Sequence, residues 1–178
     1  MNKIFLHTDR LEIIPLSGNQ LALYLESSDI FSEQIGYVSG AFLTEILRKA
    51  INLKLERMTE IDPTDHPWIT YWLIKLKENQ DGIGMLGFKG IPDQSGQVEI
   101  GYGIDPVYQN QGYTTEAVVR LIQWAFENPR CTRIIAPGTR KDNPGSNRVL
   151  EKAGMKIYSE TDYSYSWALD RSARIKNS

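Results

Sequence analysis

The spacing of apolar side chains changes period several times along the 178 residues, and each change marks an element. Residues 10–16, RLEIIPL, are rich in isoleucine and leucine and carry their proline near the end, which predicts a strand. SGNQLALYLESSD follows, with Leu21 and Leu25 at helical spacing behind capping residues. From residue 40 to about 60, Leu43, Ile46, Leu47, Ala50, Ile51, Leu55 and Met58 draw one face of a long helix. The prolines of IDPTDHP end it, because each biases the preceding residue away from helix.

Three strand patterns come next, WITYWLIKLK, IGMLGFKG and QVEIGYGI, separated by turn formers at residues 79–82 and 92–96. Connections this short predict an antiparallel meander. Ala117, Val118, Leu121, Ile122, Ala125 and Phe126 then mark a helix that ends before Pro129. TRIIAPG reads as a strand, with Pro137 removing a donor, so a bulge or an early end is expected there. A further helix is predicted from Asn143 to about Ala153, with Asn143 as its cap, Pro144 in its first turn and Gly154 just past its end. MKIYSETDYSYSWALD reads as a hairpin and RSARIKNS, residues 171–178, as a loose tail. The order predicts a single α/β domain over residues 1–178, with a mixed, mostly antiparallel sheet of about seven strands and about four helices.

Composition narrows the class. Hydrophobic residues make up 41% and charged residues 24%, a globular balance that excludes wholesale disorder. The net charge is −2 and no run of lysines and arginines stands out, which argues against a nucleic-acid partner. Cys131 is the only cysteine, so no intrachain disulfide can form. No stretch approaches the ~20 apolar residues that span a bilayer. A charged pair interrupts what would be the core of a signal peptide at the N-terminus, and a cytoplasmic protein is expected. His7 and His66 lie far apart and away from other ligands, so no metal site is expected. Cys131 is expected to be a buried strand residue without chemistry.

The chemistry concentrates in YQNQGYTTEA, residues 108–117, where amide and hydroxyl side chains surround one glycine before a helix. A glycine at such a junction lets a ligand approach the backbone, and the free amides of the helix start form an anion nest. Neither the nucleotide-hydrolase phosphate loop nor the dinucleotide fingerprint is present. Taken alone, the stretch is either a nest or a polar turn.

Two longer segments, VEIGYGIDPVYQNQGYTTEA and NPGSNRVLEKAGM, together resemble the GNAT superfamily of N-acetyltransferases. The nearest resemblance is to the branch that includes the ribosomal-protein N-terminal acetyltransferases. The opening TDRLEIIPL agrees, so the likeness runs from Thr8 to about Trp167. It implies a GNAT-like fold and direct transfer of an acetyl group from acetyl-CoA to a primary amine of a protein N-terminus or small molecule. The rival implication is a non-catalytic acyl-CoA-binding or scaffold protein with the same fold. Dimers occur in this family, and nothing in the chain demands one.

The family motif [QR]-x-x-G-x-[GA] maps onto Gln109, Gly112 and Thr114, with threonine replacing the small residue. The resemblance implies that Ile104, Gln109, Asn110, Gln111, Gly112, Tyr113, Thr114 and Thr115 hold the cofactor, joined by Asn143 and Ser146. An amine must lose a proton before it attacks a thioester, and a carboxylate can accept it directly or through water. Glu99, on the strand that runs beside the thioester in this family, is the candidate base; otherwise it is a solvated sheet residue. Asn143 caps its helix, and the resemblance adds a contact to the pantetheine arm or to an ordered water. Many relatives carry on this helix a tyrosine that protonates the departing sulfur, but that position here is Leu150. Ser146, one turn earlier, can offer a hydroxyl to the thiolate from the same groove, or bond the helix backbone instead. Glu116 suits the helix dipole but would repel a phosphate, so it is expected to face elsewhere. Trp68, Tyr71 and Trp72 are candidates for an acceptor pocket, although alternation puts only some on one face. The acids and tyrosines of ETDYSYSWALD favour a cationic acceptor.

Overall fold

A computed structural model describes residues 4–37 and 43–175. Its strands are β1 (Leu6–His7), β2 (Leu11–Pro15), β3 (Trp72–Leu76), β4 (Gly82–Phe88), β5 (Gln97–Ile104), β6 (Arg133–Arg140), β7 (Lys156–Glu160) and β8 (Ser164–Asp170). Its helices are α1 (Gly18–Glu26), α2 (Ser28–Ile35), α3 (Glu45–Glu60), α4 (His66–Ile69), α5 (Tyr113–Glu127), α6 (Pro144–Lys152) and α7 (Arg171–Ile175). Eight strands form one sheet in the order β1-β2-β3-β4-β5-β6-β8-β7. The predicted meander is present, since β3, β4 and β5 pair antiparallel in sequence.

One pairing positions the site. β5 and β6 are parallel, and they share registered pairs only from Gln97↔Arg133 to Glu99↔Ile135. Past that point β5 stays with β4 as far as Ile104, while β6 stays with β8. The two halves of the sheet therefore lose their common hydrogen bonds along residues 100–104. Below this parting lies α5, with Ala117, Val118, Leu121, Ile122 and Ala125 all buried. Its Trp124 meets Trp68 and Trp72 at ring-centroid distances of 4.6 and 5.0 Å. Those tryptophans belong to the core, where such tilted aromatic contacts are favourable.

Several predicted boundaries move. The strand expected over WITYWLIKLK begins only at Trp72, and Trp68 and Ile69 lie in α4. Pro67 fits the first turn of that short helix, and its carbonyl accepts the Trp72 indole N–H at 2.8 Å. The long helix begins at Glu45, capped by Thr44; residues 40–42 of the expected start lie outside the described residues. Ile46 is 83% exposed, so it is not on the buried face. α2, capped by the Ser27 side chain, and the two-residue β1 are too short to show a period and went unpredicted. Residues 171–175 of the expected loose tail are helical, and the Arg171 guanidinium ties α7 down by donating to the carbonyls of Asn128 and Cys131. At Pro137 a bulge forms. The β6–β8 register slips between Ala136 and Thr139, Gly138 takes φ 66°, and the strand resumes to Arg140.

Candidate active site

Where β5 leaves β6, α5 and α6 bring most of the expected residues around one groove. Its volume is about 490 Å³, and Ile104, Gln109, Asn110, Gly112, Thr114, Thr115, Asn143 and Ser146 all line it. Asn110 and Gly112 both adopt left-handed backbone, at φ 60° and 84°. Gly112 is the N-cap of α5 and offers no side-chain cap, which leaves the first-turn amides available to a ligand. Thr114, the departure from the family motif, is buried at the groove wall.

Gln111 and Tyr113 do not line the groove. Gln111 turns back, its amide donating to the Val107 carbonyl at 3.1 Å, and the Tyr113 ring lies beneath the Arg10 guanidinium at 4.4 Å. Arg10 also donates to the Gln111 carbonyl at 3.1 Å and reaches the Gly112 side of the nest. Glu116 faces away from the nest, as its charge requires. It accepts from the Thr8 hydroxyl at 2.5 Å and the Arg10 Nε at 2.8 Å. Burial pushes its pKa up, but these hydrogen bonds outweigh it and hold the carboxyl below its ordinary value.

On α6 the Asn143 side chain accepts the Ser146 backbone N–H at 3.0 Å, so its capping role is realised. The Ser146 carbonyl in turn accepts the Tyr102 hydroxyl at 3.0 Å. Burial pushes the Tyr102 phenol up to about 12, with the neighbouring Ser146 pulling the other way. Leu150 is 1% exposed and does not line the groove, so it does not share a face with Ser146 as spacing implied. Arg148 and Lys152, one turn apart on the exposed face of α6, add two cations to the groove wall. Sequence reasoning missed both, although their spacing was readable.

A second cavity of about 590 Å³ lies on the other face of β5, between β4, β5 and α3. Strand alternation places Glu99, Gly101 and Gly103 on that face. A Cβ added to Gly101 or Gly103 would meet nothing within 4 Å, so these glycines leave the cavity floor empty. Tyr71 lines this cavity, while Trp68 and Trp72 do not. Glu99, two residues before Gly101, lines neither the cavity nor the groove; it is paired with Lys89, and its side chain is 26% exposed. Lys54 crosses the cavity wall, donating to the carbonyls of Ile69 and Phe88 at 3.0 Å each. Burial, reinforced by Arg57 and Lys89, pushes its ammonium down to about 8. Tyr102, Gly103 and Ile104 line both the groove and the cavity. The two spaces thus meet across one short piece of strand.

Elsewhere the expected bystanders stay apart from the site. His66 binds the Met58 carbonyl at 3.1 Å, and Cys131 is buried, with burial pushing its thiol up to about 11. Among the described residues no helix is long and apolar enough to cross a membrane.

This chain belongs to the GNAT family: the family described as "Acetyltransferase (GNAT) domain" matches residues 32–156. Among curated proteins it resembles the uncharacterized N-acetyltransferase YjdG of Bacillus subtilis, 40% identical over 83 residues, 47% of this chain and 49% of that protein. The matched stretch spans about half the length of that relative. Among solved structures, a GNAT-family acetyltransferase from Bacillus anthracis superposes with TM-score 0.66 at 22% identity, covering 95% of this chain and 99% of the other. A RimL alpha-N-protein acetyltransferase in complex with coenzyme A gives TM-score 0.64 at 16% identity, covering 94% and 98%. At these identities the structures establish the shared fold.

Proposed function

We propose that the protein transfers an acetyl group from acetyl-CoA directly to a primary amine, with the donor in the groove and the acceptor in the α3 cavity. The observation that carries this reading is the shared wall of Tyr102, Gly103 and Ile104, where a thioester and an amine could be brought together. The groove suits the donor: it offers the uncapped N-terminus of α5 to a pyrophosphate and Arg148 and Lys152 to its charge, while Glu116 is turned away. A structural neighbour is in complex with coenzyme A, which supports acetyl-CoA as the donor.

In the reaction the amine nitrogen bonds the acetyl carbon and the carbon–sulfur bond breaks. Glu99 receives the amine's proton; because Lys89 holds its carboxylate beside the cavity, a water carries that proton. The departing thiolate is met by Tyr102 and Ser146. Tyr102 has a single O–H, given to the Ser146 carbonyl at rest, and it turns that O–H to the sulfur as charge develops; a phenol pushed up to about 12 is a weaker acid than a thiol, so it contributes a hydrogen bond and solvent completes the transfer. Asn143 keeps Ser146 in place as a positioning residue.

A screen of amines that follows free thiol released from acetyl-CoA tests the proposal. Amine-dependent release is expected. Tight coenzyme A binding with no release for any amine would instead define a binding protein of the same fold.

A further inference from the structure

The acceptor cavity has a charge imbalance that the transfer reaction does not use. Its walls carry three cations, Lys54, Arg57 and Lys89, and one carboxylate, Asp105. Lys89 is neutralised by Glu99. Among the described residues no carboxylate comes within ion-pair distance of Lys54 or Arg57; their hydrogen bonds go to the carbonyls of Ile69, Phe88 and Lys89. Asp105 stands at the opposite end of the strand. The Lys89 backbone N–H donates to the Glu99 carbonyl, whereas that of Asp105 donates to Ile83, and the six residue steps from Glu99 to Asp105 span about 20 Å. The Asp105 carboxylate also accepts the Val107 N–H at 2.9 Å, capping the next turn.

Two uncompensated cations at one end of a largely apolar cavity are costly unless something anionic joins them. Lys54 has donated two of its three N–H groups and stacks 4.6 Å from the Tyr71 ring, so the third N–H remains to be used. Arg57 spends one N–H on Lys89 and keeps others in its fork. The remaining wall, including Leu47, Ile69, Met85 and Phe88, accommodates an apolar body. About 590 Å³ falls in the range of small-molecule sites. Building on the transferase reading, we propose that the acceptor is a small amine with an apolar body and a carboxylate, the carboxylate being held by Lys54 and Arg57. The acids and tyrosines of residues 160–170, which favoured a cationic acceptor, lie outside this cavity.

Phenylalanine and phenylalaninamide, compared at equal concentrations of unprotonated amine, test this directly. The wild type should favour the carboxylate by about tenfold or more in kcat/KM, as one charged hydrogen bond implies. Arg57→Gln and Lys54→Met should each reduce that preference to below about threefold through KM, with acetyl-CoA affinity unchanged. Lys54→Met strands two carbonyls and can harm folding, so Arg57→Gln, on the more accessible side chain, is the deciding variant. A parallel arm measures calorimetric binding of N-acetylphenylalanine and its amide to the coenzyme A-loaded protein, with the same preference expected. Equal or better use of the amide by the wild type, or a preference untouched by Arg57→Gln, overturns the proposal. If no amine turns over, the transferase reading fails, and the binding arm still decides whether Lys54 and Arg57 recognise a carboxylate.

Discussion

The Tyr102 hydroxyl donates to the Ser146 carbonyl at 3.0 Å, joining the strand that leaves the sheet to the first turn of α6. This bond crosses the gap where β5 and β6 have parted, next to the wall shared by groove and cavity. It holds a protonated phenol at the groove wall, in a chain whose α6 carries Leu150 instead of a tyrosine. Tyr102→Phe should lower kcat by roughly tenfold or more, the range for one donor to a developing anion, while acetyl-CoA Kd changes little. Ser146→Ala should lower kcat less. A full wild-type kcat in Tyr102→Phe would assign the sulfur's hydrogen bond to solvent.

Gly112 gives the nest a test that separates charge from strain. Asn and Asp tolerate left-handed backbone better than other residues, and an added Cβ meets only Arg10, at 3.4 Å. Gly112→Asn should therefore fold and bind acetyl-CoA with modest loss. Gly112→Asp adds a negative charge beside the proposed pyrophosphate site and should weaken binding by roughly tenfold or more beyond the asparagine variant. Equal affinities by calorimetry would move the pyrophosphate elsewhere.

Glu99→Gln retains shape and removes the proton acceptor. Turnover near neutral pH should drop by roughly 10²–10⁴, and the deficit should shrink at high pH as more amine is already deprotonated. A loss below about threefold would make Glu99 only the partner of Lys89.

Gly101→Ala should take up cavity space without a clash, since nothing lies within 4 Å of the new Cβ. Gly101 lines the cavity and not the groove, so acceptor KM should rise while acetyl-CoA Kd holds. A rise in acetyl-CoA Kd with acceptor KM unchanged would exchange the two assignments.

Glu116 should make stability pH-dependent. Its folded pKa lies below the unfolded value of ~4.3, so its contribution is fully present above that value and is lost as pH falls through the folded pKa. Glu116→Gln should melt below wild type at pH 7, and the gap should close in acid below about pH 4. A gap independent of pH would mean that Thr8 and Arg10 prefer the shape of the side chain to its charge.

The sequence by itself determined what depends on neighbours along the chain. The meander, α5, α6 with its Asn143 cap, and the glycine at the start of α5 all follow from periodicity, turn residues and capping over a few positions. It also put Gln109, Gly112 and Thr114 at the start of a helix, because helix starts are written locally. Short elements such as α2 and α4 escaped, since four to eight residues hold too few repeats to show a period. What only the tertiary structure decided depends on how far two strands stay paired. The sharing of three residue pairs between β5 and β6, and no more, turned Tyr102 toward Ser146 and opened the groove. The same geometry sent Leu150 into the core and brought Lys54 and Arg57 to one cavity with Gly101 and Gly103, more than forty residues away. Such contacts are fixed by packing between distant segments, whose partners no local pattern can name.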